Sequence, residues 1–113
     1  MGITIYHNNS CSNSRGALAL IREAGIEPVV VDYLGTPPDV ATLRQVLAES
    51  GLAANDLVRS KEPQFAELGL AGADEATLLA AMAEHPRLIN RPIVRTPKGT
   101  RLCRPPETVQ ELL

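Results

Sequence analysis

Cys11 stands in "HNNSCSNSR", residues 7–15, between His7 and Arg15 and just ahead of the helical-looking run "GALALIREAG". A thiol is nucleophilic as thiolate, and with an ordinary pKa near 8.5 only about 3% is thiolate at pH 7. A turn that feeds a helix favours the anion, because unpaired backbone N–H groups and the positive end of the helix dipole face it. Ser14 adds a hydroxyl able to donate a hydrogen bond, and His7, when protonated, adds a positive charge. The competing reading makes Cys11 a small loop filler and His7 a strand-end residue. The Asn and Ser neighbours suit a buried structural cysteine poorly, which weighs toward a reactive thiol.

Several thiol chemistries meet this spacing. A dithiol oxidoreductase needs C-x-x-C, and Ser14 occupies the second cysteine's place. A cysteine phosphatase needs an arginine at a set distance, which Arg15 follows too closely and Arg22 too late. A zinc site drawn from His7, Cys11, His85 and Cys103 has no close ligand pair. A monothiol mechanism remains, and an oxyanion held beside a thiolate needs guanidinium groups, which donate two parallel hydrogen bonds and stay charged. After His85 the chain carries Arg87, Arg91, Arg95, Lys98, Arg101 and Arg104 against Glu107 and Glu111. For Arg22, Arg44, Arg87 and Arg101 the default is a solvated charge. Arg91 differs because it precedes Pro92 in "INRPIV", where a cis X-Pro bond could lead a strand toward the cysteine.

The chain that must position these groups has 113 residues, a natural size for one domain with a real core and no disulfide or metal staples. The start "MGITIYHNN" lacks a signal-peptide pattern, so a cytoplasmic protein with both thiols reduced is expected. No apolar run is long enough to span a membrane. A net charge of −2 and only Tyr6, Tyr33 and Phe65 as aromatics argue against nucleic-acid binding. "ITIYH" reads as a strand, Ser14 to Ala24 as a helix stopped by Gly25, and "EPVVVDYL" as a buried parallel strand. Residues from about 37 to 86 read as wholly helical: a helix through Val40, Leu43, Val46 and Leu47, a short one in "NDLVRS", and one in "DEATLLAAMAEH" ended by Pro86. "RPIVRTPKGTRLCRP" reads as a hairpin and "PETVQELL" as a closing helix. The order is βαβ, a helical block, then ββα.

"ITIYHN", cysteine followed by "SR", "DYLGTPP", "ELGL", "LINRPIV" and "TPKGTRLCRPPE" together resemble the glutaredoxin-coupled arsenate reductases, nearly end to end. The resemblance implies an α/β, thioredoxin-like fold, one domain over 1–113 with a helical insertion about 37–86. It implies Cys11 as nucleophile, His7 and Ser14 as groups favouring its thiolate, Arg59, Arg91 and Arg104 as oxyanion-binding arginines, and Pro92 as a cis-proline. Arsenate would be attacked by the thiolate to give a covalent arsenic adduct. Glutathione would attack the adduct, arsenic would be reduced, and glutaredoxin would clear the mixed disulfide. No bound cofactor and no metal is implied, with glutathione as co-substrate and glutaredoxin as partner; no nucleic acid or membrane partner is expected, and a monomer is the default. Cys103, in a predicted strand, is expected to be structural. Two departures stand out: Asn9 and Ser12 replace the proline and glycine that members usually carry around the cysteine. Two other readings stay open, a regulatory or binding module of the same superfamily and a glutathione-linked thiol reductase with another substrate.

Overall fold

The computed structural model describes residues 2–113, in two compact units: one holds the chain up to Thr36 together with Arg91–Leu113, the other Pro37–Asn90. In the first unit, four strands form one sheet in the order β2-β1-β3-β4, with β1 at Thr4–His7, β2 at Val29–Asp32, β3 at Ile93–Thr96 and β4 at Gly99–Leu102. β1 runs parallel to β2, with Ile5 opposite Val30, and antiparallel to β3, with Ile5 opposite Val94. β3 and β4 form the antiparallel hairpin expected from the Pro-Lys-Gly turn, Arg95 facing Thr100. Helix α1, Ser12–Glu23, connects the two parallel strands. It begins two residues before the expected Ser14, and its buried face is Ser14, Ala17 and Ile21 at helical spacing. Ala17 and Ile21 join Ile3, Ile5, Val94, Cys103, Val109 and Leu112 in the core. Fully burying one such aliphatic side chain stabilises the fold by about 1.5–3 kcal/mol.

Two expectations for this unit are corrected. β2 is not buried: it is an edge strand, with Val29 60% and Val30 40% exposed. A continuous apolar run suggests burial on both faces, but an edge position relaxes that demand. The closing segment, Pro106–Leu112, is a 3₁₀ helix. It packs along α1, and the approach is close enough that a Cβ on Gly16 would lie 3.1 Å from the Pro106 ring.

The second unit is helical, as expected, except for a single bridge between Val58 and Ile89. Helix α2, Val40–Ser50, starts where the Asp39 carboxylate accepts from the Thr42 N–H at 2.8 Å and stops at Gly51, whose φ of 75° is open to glycine without penalty. The short α3 covers Ala54–Leu57, and α5 covers Glu75–Glu84 behind an Asp74 cap on Thr77. Helix α4, Pro63–Glu67, is a further short helix within the stretch read as helical, beyond the three named there. α5 stops just before Pro86, as expected, at a His85 with φ −124° and ψ 80°, and Pro86–Leu88 forms a separate 3₁₀ turn. Leu43, Val46, Leu57, Leu78, Leu79 and Met82 are essentially inaccessible to solvent.

Candidate active site

β1 ends at His7 and the chain turns into α1 through residues 8–11. Asparagine organises this turn twice: the Asn8 carbonyl accepts from the Cys11 N–H at 3.0 Å, and the Asn8 side-chain oxygen accepts from the Ser10 N–H at 2.9 Å. Cys11 takes the cap position of α1, extended at φ −97° and ψ 124°, and its carbonyl accepts the first helical bond from Arg15 at 3.0 Å. This backbone role places its side chain at the helix head.

Cys11 is 8% exposed, and burial, the largest single influence on the thiol, pushes its pKa up. The opposing influences together win, and the pKa lies below the ordinary value: the Ser14 amide, a hydrogen bond from the Arg91 guanidinium, the Arg91 charge, and the Asn13 amide. Neither amide closes a cap hydrogen bond to the sulfur. Both stabilise a negative sulfur all the same, as the first N–H groups of a helix should. Arg104 Nη1 lies 4.0 Å from the sulfur and donates to the Arg91 carbonyl at 2.9 Å. The two arginines are therefore tied to each other as well as to the thiol.

Arg91 stands just before Pro92 and β3, and Arg104 shortly after β4, so the hairpin register carries both to the same end of the sheet. The peptide bonds Arg91–Pro92 and Arg104–Pro105 are both cis. The Pro92 carbonyl accepts from the Cys103 N–H at 2.9 Å, which fixes the chain on either side of the two arginines. A thiolate, two guanidinium groups and helix amides at one spot suit a nucleophile that attacks and then holds a tetrahedral oxyanion.

His7 and Ser14 also belong to this cluster, but differently from the expectation. The Ser14 hydroxyl lies 2.7 Å from His7 Nδ1 and accepts from the Asn8 N–H at 3.0 Å. Ser14 thus reaches the thiol through its main-chain amide and not through its hydroxyl, and His7 contacts Ser14 and Asn9. Arg59 lies in the second unit. Its guanidinium pairs with Glu62 at 3.2 Å, and its N–H donates to the Leu88 carbonyl at 2.7 Å. Cys103 is completely buried, a free thiol pushed up to about 12 chiefly by that burial. Among the described residues no group of three or more His, Cys, Asp or Glu side chains could hold a metal ion, and no helix is long and apolar enough to cross a membrane. The reading of the sequence missed Asn8, although an asparagine just ahead of a helix start is a recognisable turn-former.

A parallel βαβ unit joined to an antiparallel hairpin, with one activated cysteine at the head of the first helix and arginines from the hairpin ends beside it, defines a thioredoxin-like monothiol protein. The chain belongs to the ArsC family, whose pattern it matches over residues 6–112. It is 53% identical to an arsenate reductase of Rhizobium meliloti (strain 1021), over 100% of this chain and 82% of that one. It is 49% identical to an arsenate reductase of Escherichia coli (strain K12), over 98% of this chain and 80% of that one. Its fold superposes on the solved structure of an arsenate reductase from Vibrio cholerae with a TM-score of 0.95 at 45% identity, covering 100% of this chain and 98% of that one.

Proposed function

We propose that this chain reduces arsenate to arsenite through a covalent adduct on Cys11, with glutathione and glutaredoxin as thiol donors. The observation that carries the reading is the lowered Cys11 pKa beside Arg91 and Arg104 in an ArsC-family chain. The thiolate sulfur bonds to arsenic, and an arsenate oxygen leaves as water after taking protons. Arg91 and Arg104 balance the charge of the remaining oxygens, and by resemblance Arg59 is a third such group. Glutathione then condenses its thiol with arsenic, and a second arsenate oxygen leaves as water. The glutaredoxin thiol then attacks the glutathione sulfur, the two sulfurs form a disulfide, and their electron pair takes arsenic from the pentavalent to the trivalent state. Hydrolysis of the last sulfur–arsenic bond releases arsenite and restores Cys11.

An outside thiol is needed because Cys103, buried and protonated across the neutral range, is a poor resolving group. A reducing cytoplasm, where both thiols stay free, suits this cycle. Ser12, exposed beside the thiol, favours the second reading of a glutathione-linked reductase with another anionic substrate. The test is arsenate-dependent NADPH oxidation coupled through glutathione, glutathione reductase and glutaredoxin. Turnover that requires arsenate, disappears in Cys11→Ser and weakens in Arg91→Ala, Arg104→Ala and Arg59→Ala supports the proposal. Full turnover in Cys11→Ser overturns the mechanism, and no arsenate dependence with a reactive Cys11 gives the second reading precedence.

A further inference from the structure

The second unit holds a carboxylate shared between two arginines. Glu62 Oε2 lies 3.2 Å from Arg59 Nη1, and Glu62 Oε1 lies 3.8 Å from Arg87 Nε. The Glu62 side chain is 14% exposed, against 30% for Arg59, so the carboxylate is the more sheltered partner. Glu62 takes the cap position of α4, yet its side chain accepts no N–H of that helix. The main chain fixes the pair from both sides: the Glu62 N–H donates to the Arg59 carbonyl at 3.1 Å, and the Arg59 N–H to the Leu88 carbonyl. The exposed pair of Arg22 and Glu27 is built differently. There Nε and Nη2 donate to the two oxygens of one carboxylate, at 3.1 and 3.0 Å, which occupies the guanidinium edge that fits a two-oxygen ligand. Arg59 is held through Nη1 alone, which also reaches the Arg87 carbonyl at 3.5 Å. Among the described residues its Nε and Nη2 hydrogens meet no acceptor.

We propose that Glu62 is a positioning residue for Arg59: it holds the guanidinium by Nη1 and so reserves the Nε–Nη2 edge for two oxygens of a tetrahedral oxyanion. The inference rests on the reading of Arg59 as a third arsenate-binding group, and it deepens that reading by naming what orients the group. An unheld arginine gives up rotamer freedom each time it binds, and Glu62 removes that cost beforehand. Arg87 keeps the arrangement attractive to an anion. Two guanidinium charges share one carboxylate, so the cluster stays positive and Glu62 orients Arg59 without cancelling its pull.

The test uses the intact chain and arsenate, and reads the arsenate concentration that half-protects Cys11 from iodoacetamide, beside KM and kcat in the coupled assay. Glu62→Ala should raise the half-protection concentration and KM by up to about tenfold, the scale of one hydrogen bond to a charged group, with a smaller change in kcat. Glu62→Gln keeps an oxygen that accepts from Nη1 and should stay within about twofold of wild type. In an Arg59→Ala background, Glu62→Ala should add nothing, because it acts through Arg59. Unchanged or tighter arsenate binding in Glu62→Ala, the result for a carboxylate that competes with the anion, overturns the proposal, as does an equal further loss in the Arg59→Ala background. Arg59→Ala separates the two levels. No effect there overturns the reading of Arg59 and the proposal together, whereas a loss there with none in Glu62→Ala overturns the proposal alone. If Glu62→Ala fails to fold, the side-chain ¹⁵N spectrum of the wild type decides, with Arg59→Lys assigning the signal: the Arg59 Nε–H resonance should move on adding arsenate, and a fixed resonance overturns the proposal. Protection does not require turnover, so failure of the glutathione-dependent reduction is a separate result.

Discussion

The two cysteines should differ in reactivity by orders of magnitude, and the difference can be worked from their surroundings. Burial raises the Cys103 thiol from an ordinary 9.0 to about 12, and its side chain is completely inaccessible. Three pH units mean about a thousandfold less thiolate than an ordinary thiol at neutral pH. Cys11 is shifted the opposite way, so the gap between the two exceeds a thousandfold before access is considered. The assay is brief iodoacetamide labelling of the folded protein followed by trypsin digestion and mass spectrometry. Cys11 falls in the peptide of residues 1–15. Cys103 falls in that of residues 102–113, because Arg104 precedes Pro105 and is not cleaved. Label should accumulate on the first peptide alone, and on both at similar rates in guanidinium. Labelling of Cys103 in the folded chain within about tenfold of Cys11 would refute the assignment of one buried inert thiol and one activated thiol.

Stability should fall in alkali, because a folded-state pKa near 12 against an ordinary 9.0 lets the unfolded chain release the Cys103 proton first. The contribution is intact below about pH 9 and is lost toward pH 12, at about 1.4 kcal/mol per pH unit. Urea denaturation of Cys103→Ala against wild type at pH 8 and pH 10 should show a correspondingly flatter dependence in the variant, and parallel curves would disprove the burial argument. Arg91→Ala should raise the alkylation pKa of Cys11, since its hydrogen bond and charge both lower it. Arg104→Ala should raise it less, because its Nη1 stands 4.0 Å from the sulfur; the reverse order would reassign the two arginines. Gly16→Ala ordinarily stabilises a helix by about 1 kcal/mol, but here the new methyl meets the Pro106 ring at 3.1 Å. Its denaturation midpoint should lie at or below that of wild type, and a clear rise would show that the closing segment yields freely.

Much of the fold was readable because two periodicities carry it. The strand "ITIYH", the apolar side of Leu18, Ile21 and the neighbouring alanines, and the Pro-Lys-Gly turn each specify a local element, and short connections leave few ways to assemble them. What was not readable depended on position in the fold. The valines of β2 look the same whether a strand is central or at an edge, and only the strand order shows that Val29 is exposed. "PETVQELL" has helical spacing, yet Pro106–Leu112 is 3₁₀ throughout and packs along α1. At the site, Cys11 and the two hairpin arginines were visible from residue type and motif. The link from Ser14 to His7 was not, because it is made by hydrogen bonds with Asn8 and His7 that no spacing rule encodes.

The pairing of β1 with β3 joins residues far apart in the chain, Tyr6 with Ile93, and has a consequence for the protein's own synthesis. Cys11 emerges early, whereas Arg91, which helps to hold its thiolate, follows about eighty residues later. At ~5–20 residues per second, translation separates them by roughly 4–16 s. Through that interval the thiol lacks its guanidinium partner, because the β3–β4 hairpin that delivers the partner has not yet been made. The nascent chain therefore carries a cysteine closer to an ordinary one. Its full reactivity arises only once that hairpin has been made and paired, so a product cut short before Arg91 would carry the nucleophile without its guanidinium partner.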